Sequence, residues 1–346
     1  MPRHPAPARP TLPAPADVAD AILEATVVGS FSRAGLEIRS RLLPQFTADL
    51  QPPRPGRVAV ITGATSGLGL AAASSLAARG MNVHFLARSE LKARTAQQAI
   101  ASAATAGAAV TFTIADVEDL ASVRRFGADT AAAYPRVDVL IHCAGAMHEE
   151  YQLAAGGTER TVTGHVLAPF LLTSMLLPAL TAARGARVIT VSSGGMYAQR
   201  LDLTALAAPD PAAYRGAVAY ARAKRAQVTL NREWALRLRG RGITFCAMHP
   251  GWADTPGIVA SLPRFHQLMK PVLRSPEQGA DTIVWLATAP AAELPSGKFW
   301  HDRRPRAEYW LPWTREAAAV PGAVWDWAAA QTGVEPAGHA SSAAPR

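Results

Sequence analysis

The segment from Arg57 to Gly69 constrains the fold more than any other part of this 346-residue chain. Its first half, Val58 to Ile61, is an unbroken apolar run rich in β-branched residues, which is typical of a strand buried on both faces of a parallel sheet. Its second half is a turn whose three glycines lack the Cβ that would block close approach to a bound group. Helix-forming residues follow from Leu70 to Ala78. A strand, a glycine turn and a helix in this order favour a phosphate site, because unpaired N–H groups and the positive end of the helix dipole converge there.

The spacing of these glycines is G-x-x-x-G-x-G, whereas most dinucleotide-binding folds carry G-x-G-x-x-G. Taken alone, the pattern is moderately specific, and a purely structural turn is the alternative.

Apolar strand-like segments and helix-like segments alternate along the chain after this turn. The predicted strands are Val83–Ala87, Val110–Ile114, Val137–Gly145, Arg187–Val191, Ile243–Met248 and Gly297–Trp300. Helical patterns lie between them, among others at Glu90–Ala104 and Leu120–Tyr134. The sequence therefore predicts an α/β fold: a single domain built on a Rossmann-type, doubly wound parallel sheet, with its ligand at the carboxyl ends of the strands.

The ends of the second and third strands indicate the cofactor. Arg88 follows the second strand, where an acidic side chain would bind a free ribose hydroxyl and a guanidinium favours a 2′-phosphate. Asp116 and Val117 follow the third strand and are expected to contact an adenine. Arg88 therefore predicts NADP as the cofactor.

Candidate catalytic groups follow the fifth strand. Ser193 lies directly after it, and Tyr220 and Lys224 are four residues apart on a predicted helix, so that they project from one face. An adjacent ammonium would lower the pKa of the phenol from about 10 toward the neutral range, where it donates a proton more readily. On its own, a Tyr-x-x-x-Lys pattern is more often an ordinary helix surface.

The two ends of the chain differ in composition from the central domain. We predict a disordered Pro/Ala-rich tail at 1–17, a helical arm at 18–50, the Rossmann domain at 51–302, and a Trp-rich tail at 303–346 that is disordered after about 333. In the arm, Ile22, Leu23, Val27, Phe31, Ala34, Ile38 and Leu42 recur at helical spacing. This face either packs on the domain or lies on a membrane surface. The tryptophans of the tail either clamp it to the core or line a substrate entrance.

Composition limits the cellular compartment and the kinds of partner that we expect for this chain. The net charge of +9 comes from scattered arginines, which argues against a nucleic-acid partner. Cys143 and Cys246 lie in separate apolar runs, so two reduced thiols in a cytoplasmic protein are expected. The histidines show no metal-ligand spacing, and we predict no metal.

Several motifs in order resemble the classical short-chain dehydrogenase/reductase family. They are Thr62-Gly-x-x-x-Gly-x-Gly69, Asp116, Cys143-Ala-Gly145, Ser193, Tyr220-x-x-x-Lys224 and Pro250-Gly251, over about residues 56–302. More narrowly, Val188–Met196, Met248–Pro256, Ser296–Arg303 and the arm around Ser30–Arg41 resemble the branch that contains dehydrogenase/reductase member 12 and the retinol-dehydrogenase-like enzymes.

This resemblance implies that Tyr220 is the general acid/base, that Lys224 lowers its pKa and holds the nicotinamide ribose, and that Ser193 orients the substrate oxygen. The predicted cofactor site comprises Gly63, Thr65, Ser66, Gly67, Leu68, Gly69, Arg88, Asp116, Val117, Ala144, Gly145, Tyr220, Lys224, Pro250, Gly251 and Thr255. The family also implies a substrate lid after Pro-Gly, here about 252–275, whose content is apolar. The helices around His165 and Tyr220 pair subunits in many relatives, so a homo-oligomer is one expectation, and an arm that covers these helices is the other.

Two positions depart from the family pattern. His142-Cys143 stands where the family has Asn-Asn, and His165 stands where a helix-borne Asn holds a water in a proton relay. His165 either takes over that role or is a packed side chain. The first interpretation gives an NADP-dependent oxidoreductase that interconverts an alcohol and a carbonyl on a lipophilic small molecule. The alternative is an NADP-binding sensor or scaffold with an eroded relay.

Overall fold

A computed structural model describes residues 14–47, 55–290 and 293–334 of the chain. Eight strands form one sheet, and they are β1 (Val58–Thr62), β2 (Asn82–Ala87), β3 (Val110–Ile114), β4 (Val139–His142), β5 (Ala186–Val191), β6 (Ile243–Met248), β7 (Lys298–His301) and β8 (Arg304–Arg306). Their order in the sheet is β3-β2-β1-β4-β5-β6-β7-β8. The first seven strands are parallel, and β8 runs antiparallel to β7.

The predicted α/β class and doubly wound sheet are confirmed. All five residues of β1 are buried, as the unbroken apolar run predicted. Strand β1 pairs with β2 on one side and β4 on the other, so the order of strands reverses there. This reversal opens a crevice at the carboxyl ends of the strands, directly above the glycine turn.

Helices cover both faces of the sheet. The bounds are α1 (Pro15–Glu24), α2 (Val27–Phe31), α3 (Arg33–Leu42), α4 (Pro44–Thr47), α5 (Gly67–Ala77), α6 (Glu90–Ala103), α7 (Leu120–Ala133), α8 (Arg160–Val162), α9 (Ala168–Ala182), α10 (Leu203–Ala207), α11 (Gly216–Arg237), α12 (Pro256–Ser261), α13 (Pro263–Met269), α14 (Pro276–Thr288) and α15 (Val320–Thr332). Helices α5, α6 and α14 bury apolar residues on one face of the sheet. Helices α7, α9, α11 and α15 bury theirs on the other face.

Two strand predictions needed correction. The fourth strand is shorter than the predicted run 137–145, because the chain leaves the sheet after His142 and turns into the crevice. Strand β8 was missed, because Arg-Pro-Arg has no apolar alternation and forms only as an edge strand beside β7.

The segment before α9 contains a π-helical turn, Thr163–Leu167. Pro169 lies in the first turn of α9 and has no N–H to donate to the carbonyl of His165, four residues earlier. That carbonyl instead accepts a hydrogen bond from Nε2 of Gln227 at 2.7 Å. His165 therefore lies in a non-standard turn that joins directly to α9.

The stretch from Arg160 to Ala182 is long and apolar enough, by length and composition, to cross a membrane. Most of it is buried inside the protein, where Leu171, Leu172 and Leu176 belong to the core beside the sheet. It is the core helix of this face of the sheet.

The N-terminal arm packs on the domain through buried charged residues as well as apolar ones, and part of the predicted apolar face stays exposed. Arg39 is 0% exposed and donates to Asp20 (2.7 Å), Glu24 (2.8 Å) and Asp302 (2.8 Å). Of the predicted apolar face, Phe31 is buried, but Ile22, Val27, Ile38 and Leu42 are exposed. The arm folds as several short helices, not one, so a single helical stripe cannot face the domain.

The C-terminal helix α15 packs on both α9 and α11. Trp325 is fully buried there, with its ring centre 4.5 Å from that of Trp234 and 4.9 Å from that of Phe170. The predicted clamp therefore holds for Trp325, whereas Trp313 is 70% exposed. The helices that pair subunits in many relatives are covered here by α15, not by the N-terminal arm.

Predictions about the chain termini concern residues that lie mostly outside the described ranges. The disorder predicted for 1–17 and after 333 falls on residues 1–13 and 335–346, which are not described. Helix α1 begins at Pro15, inside the last three residues of the tail predicted at 1–17. The division of the chain into tail, arm, domain and tail stays a prediction.

Candidate active site

A pocket of about 550 Å³ occupies the crevice at the carboxyl ends of the strands. A volume of this size is typical of sites for small molecules and cofactors. The pocket brings together all but one of the predicted site residues: Gly63, Thr65, Ser66, Gly67, Leu68, Gly69, Arg88, Val117, Ala144, Gly145, His165, Ser193, Tyr220, Lys224, Pro250, Gly251 and Thr255.

The glycine turn forms one end of the pocket. Gly63 has φ of +78° and Gly67 has φ of +51°, a region that other residues rarely adopt. A Cβ on Gly69 would lie 2.1 Å from the carbonyl oxygen of Gly63, so only glycine lets the helix begin this close to the strand. Ser66, the N-cap of α5, does not cap the helix with its side chain. The amino end of α5 therefore faces the pocket in the arrangement that suits a phosphate group.

Arg88 lies at the mouth of the pocket, directly after β2. Its side chain is exposed and makes no ion pair with any residue of the described ranges. A free guanidinium beside the glycine turn fits the 2′-phosphate of NADP.

Asp116 is the predicted cofactor residue that the pocket does not include. Its carboxylate accepts a hydrogen bond from the backbone N–H of Glu118 at 2.9 Å, so it stabilises the turn after β3. Glu118 lines the pocket in its place, and its carboxylate is held by Arg160 and by His148 at 2.8 Å. Both residues are acidic and lie two positions apart, so the sequence alone does not show which of them lines the pocket.

Ser193, Tyr220 and Lys224 meet in the middle of the pocket. Lys224 donates to the carbonyl of Val191 at 2.8 Å, and its Nζ is 5.4 Å from the centre of the Tyr220 ring. The hydroxyl of Ser193 accepts from the N–H of Gly195 at 3.2 Å and is hydrogen-bonded to the hydroxyl of Tyr220. The preceding Ser192 donates to the carbonyl of Lys224 at 2.9 Å and joins β5 to α11. Ser193, beside the phenol, is therefore the serine placed to contact a substrate.

Burial controls the protonation of this group. Burial raises the pKa of Tyr220 to about 12, and a hydrogen bond with Ser193 opposes the rise. The rise comes from burial, and the effect of Lys224 on the phenol stays a prediction. Burial also lowers the pKa of Lys224 to about 7. At neutral pH the phenol keeps its proton, and Lys224 is close to losing its charge.

His165 lies between the pocket and a smaller internal cavity of about 20 Å³, which is large enough for a water molecule. Its Nε2 is 2.8 Å from the carbonyl oxygen of Ala146, so Nε2 carries the hydrogen and Nδ1 is an acceptor. Burial holds the pKa of His165 well below its usual value. Nδ1 of His165, Nδ1 of His142 and Oε1 of Gln227 are buried without a hydrogen-bond partner among the described residues, and all three side chains line the cavity.

Helices α12 and α13 lie within the predicted lid, about 252–275, and one side of the pocket is lined there by Ile258, Leu262 and Phe265. Thr255 caps α12 by accepting from the N–H of Ile258, and its methyl group lies against Gly67. The lid is joined to the glycine turn through this contact.

Sequence reasoning missed Phe31 and His249, which also line the pocket. Phe31 comes from the arm, far from the motifs in sequence, and no local pattern distinguishes it from its apolar neighbours. His249 was read only as part of the Met248–Pro256 motif, and its ring packs 4.3 Å from that of Phe31.

Comparisons with known proteins show what this chain is similar to. Residues 57–263 match the family described as short chain dehydrogenase. Dehydrogenase/reductase SDR family member 12 from Bos taurus is 38% identical, over 84% of this chain and 89% of that protein. Retinol dehydrogenase 12 from Homo sapiens is 34% identical, over 72% of this chain and 78% of that protein. A crystal structure from Beutenbergia cavernae, described as an NAD(P)-dependent gluconate 5-dehydrogenase with bound NADP at low occupancy, has a TM-score of 0.58 and 27% identity, over 71% of this chain and 94% of that one.

Proposed function

This chain belongs to the short-chain dehydrogenase family, as its motifs predicted, and we propose that it is an NADP-dependent oxidoreductase acting on a lipophilic alcohol or carbonyl compound. Hydride transfer between an alcohol and a carbonyl is the chemistry of the family. The NADP preference and the apolar substrate are our proposal.

One observation carries the proposal: a single pocket joins the glycine turn to Ser193, Tyr220 and Lys224. A bound nicotinamide would supply the hydride, and negative charge then develops on the substrate oxygen. At neutral pH Tyr220 keeps its proton, because burial raises its pKa to about 12. The alkoxide that develops on the substrate is basic enough to take this proton, and the hydroxyl of Ser193 beside the phenol can donate a hydrogen bond to the same atom. Lys224, while charged, stabilises the phenolate that remains.

The test of catalysis is Tyr220→Phe, which removes the donated proton and keeps the ring. We expect the variant to lose NADPH oxidation across a panel of lipophilic aldehydes and ketones by about a hundredfold or more, because general acid catalysis contributes that much. NADPH binding, measured by fluorescence titration, should stay within a factor of a few. Wild-type protein that binds NADPH and turns over none of the panel would favour the sensor interpretation instead.

The proposed preference for NADP rests on Arg88. Arg88→Asp should weaken NADPH binding and improve the relative affinity for NADH, because a carboxylate repels the 2′-phosphate and accepts from a free hydroxyl. The matched control is Arg94→Asp, an equal change of charge on α6, where the arginine is exposed and pairs with Glu90. A titration in which both variants keep the wild-type preference would refute the assignment.

We also propose that His165 takes part in the proton relay through a water molecule in the small cavity. A water there would donate to Nδ1 of His165 and to Oε1 of Gln227, which satisfies two buried acceptors at once. These two acceptors could hold a relay water, so the arrangement supports the enzyme over the sensor. His165→Asn should keep most activity and His165→Leu should lose it, with NADPH affinity unchanged in both. Equal activity in the two variants would refute the relay.

The apolar lid supports a lipophilic substrate. Each buried methylene contributes about 0.8 kcal/mol, so catalytic efficiency with NADPH should rise several-fold per carbon along a series of aldehydes until the pocket is full. Acidic or phosphorylated substrates should be poor. A flat series, or a preference for a charged substrate, would refute the class and direct attention to Arg264 and Lys270 of the lid.

For location, we propose a cytoplasmic protein whose arm contacts membranes peripherally. Ile22 is 65% exposed and Val28 is 54% exposed on the outer surface of the arm, an arrangement that buries apolar area on a lipid surface. The double variant Ile22→Asp/Val28→Asp should no longer sediment with anionic vesicles. If wild-type protein does not sediment either, the arm is purely structural.

A homo-oligomer that pairs α9 and α11 would require α15 to move. Light scattering of the full chain measures the oligomeric state directly.

A further inference from the structure

Phe31 of the N-terminal arm lines the active-site pocket, although the arm lies outside the range that matches the family. Its side chain is 3% exposed and packs against the rings of His249 at 4.3 Å and Trp252 at 5.9 Å. Trp252 in turn packs against Phe265 of the lid at 5.3 Å. All three of Phe31, Trp252 and Phe265 line the pocket, so an aromatic row runs from the arm to the lid.

Phe31 of the arm packs against Gly194, the residue that follows the candidate catalytic serine. A Cβ on Gly194 would lie 2.5 Å from Cε2 of Phe31 and 3.0 Å from its Cζ. The ring of Phe31 therefore fills the space that a side chain at position 194 would need. This contact places the edge of the ring next to Ser193, at the reacting end of the pocket.

The backbone of the arm is fixed to the loop that contains Trp252. The carbonyl of Phe31 accepts from the N–H of Trp252 at 2.8 Å. Arg274, which is 1% exposed, donates to the carbonyls of Ser30 at 2.9 Å and Pro250 at 3.1 Å. The same guanidinium is paired with Asp302 at 2.6 Å. Phe31 therefore has a fixed position relative to the pocket, as a residue that selects substrates must have.

We infer that the arm supplies a wall of the substrate site and that Phe31 is a specificity-determining residue, which limits the size of the apolar group beside the reacting carbon. This inference rests on the proposed function for its substrate class. The aromatic row suits a flat or branched apolar group, which would lie against the half-buried ring of Trp252 and reach the edge of the Phe31 ring. Removing the ring opens space next to Ser193, so short substrates lose contact and bulky ones gain access.

The first test is Phe31→Ala, with Phe31→Leu as the milder variant and thermal unfolding as the check on folding. For small aldehydes we expect KM to rise about tenfold, the usual effect of one lost apolar contact in a pocket. For ketones that are bulky on both sides, catalytic efficiency should rise relative to wild type. NADPH affinity should be unchanged. An equal loss for small and bulky substrates would mean that Phe31 is only structural and would overturn the inference.

The second test uses the contact with Gly194. Gly194→Ala should lower activity strongly, because its methyl group displaces the ring, and Phe31→Ala in the same chain should restore much of that loss. The matched control is Gly195→Ala, whose Cβ would meet nothing closer than 3.6 Å and should lower activity far less. A double variant no more active than Gly194→Ala would overturn the inference.

A binding measurement separates this inference from the proposed function. Titration calorimetry of the NADPH complex with unreactive fatty amides of increasing bulk needs no turnover. If wild type turns over no carbonyl compound but Phe31→Ala still shifts the preferred size of amide, the proposed function fails and the inference stands. If the size preference does not shift, the inference fails even where turnover is normal.

Discussion

The arm's buried ion cluster allows a sharp test of how the arm is held. We consider Arg39→Met, which removes the guanidinium and keeps most of the apolar stem. Arg39 is fully buried and makes five hydrogen bonds, to Asp20, Glu24, Asp302 and both the carbonyl and the hydroxyl of Ser30. Its loss leaves these buried acceptors short of a donor.

The expected loss in the free energy of unfolding depends on which partners the buried carboxylates keep in the variant. Removing one member of a buried ion pair costs about 3 to 5 kcal/mol. Asp302 keeps two bonds from Arg274, at 2.6 and 2.9 Å, and Asp20 keeps Arg304 and Arg306 at 2.8 Å. We therefore expect the lower end, about 3 kcal/mol. With an unfolding entropy of about 2.1 cal/mol/K per residue, a chain of this length should lose about 4 °C in Tm.

The assay is thermal unfolding followed by circular dichroism, with limited proteolysis to detect release of the arm below Tm. The matched control is Arg41→Met, two residues along the same helix, where the side chain is exposed. It should change the free energy of unfolding by no more than about 0.5 kcal/mol. If the two variants have the same Tm and the same protease sensitivity, the arm is not held by the cluster and the reasoning is wrong.

Three further predictions follow from the site and the core. Because burial lowers the pKa of Lys224 to about 7, the catalytic efficiency of carbonyl reduction should fall as pH rises above about 7. Lys224→Arg should flatten the pH profile, since arginine stays charged. A flat wild-type profile up to pH 9 would contradict this. Gly69→Ala should weaken NADPH binding at least about tenfold in a fluorescence titration, since its methyl group would collide with a backbone carbonyl, whereas Gly322→Ala in open space should not. Trp325→Ala should cost about 3 to 5 kcal/mol in urea unfolding, because the indole is fully buried, whereas truncation of the exposed Trp313 should change little.

The parts of the fold that depend on local pattern were predictable. The apolar runs located the seven parallel strands, and the glycine spacing located the amino end of α5, since a strand, a turn and a helix each have a period or a residue preference. The pair Tyr220 and Lys224 was recognisable because helical spacing fixes which side chains share a face.

The parts that depend on distant contacts were not predictable. Arg39 has the same local sequence setting as Arg41, but its buried partners include Asp302, 263 residues away. The raised pKa of Tyr220 comes from burial, which the sequence does not reveal. Phe31 reaches the pocket only because its own arm folds back over the loop at Trp252. In each case the decisive partner comes from another part of the chain, and no window of sequence contains both.

The arm also has a consequence for the order of events during synthesis. Asp20 and Arg39 leave the ribosome early, but their partners Asp302, Arg304 and Arg306 are among the last residues of the domain to be made. At about 5 to 20 residues per second, the 263 residues between Arg39 and Asp302 take roughly 13 to 53 s to translate. During that time the charged side chains of the arm lack these partners and remain hydrated, and Phe31 is not yet in place at the pocket. Closure of the active site is therefore a late event of folding, and a nascent chain that stops before β8 should hold the glycine turn without a finished substrate site.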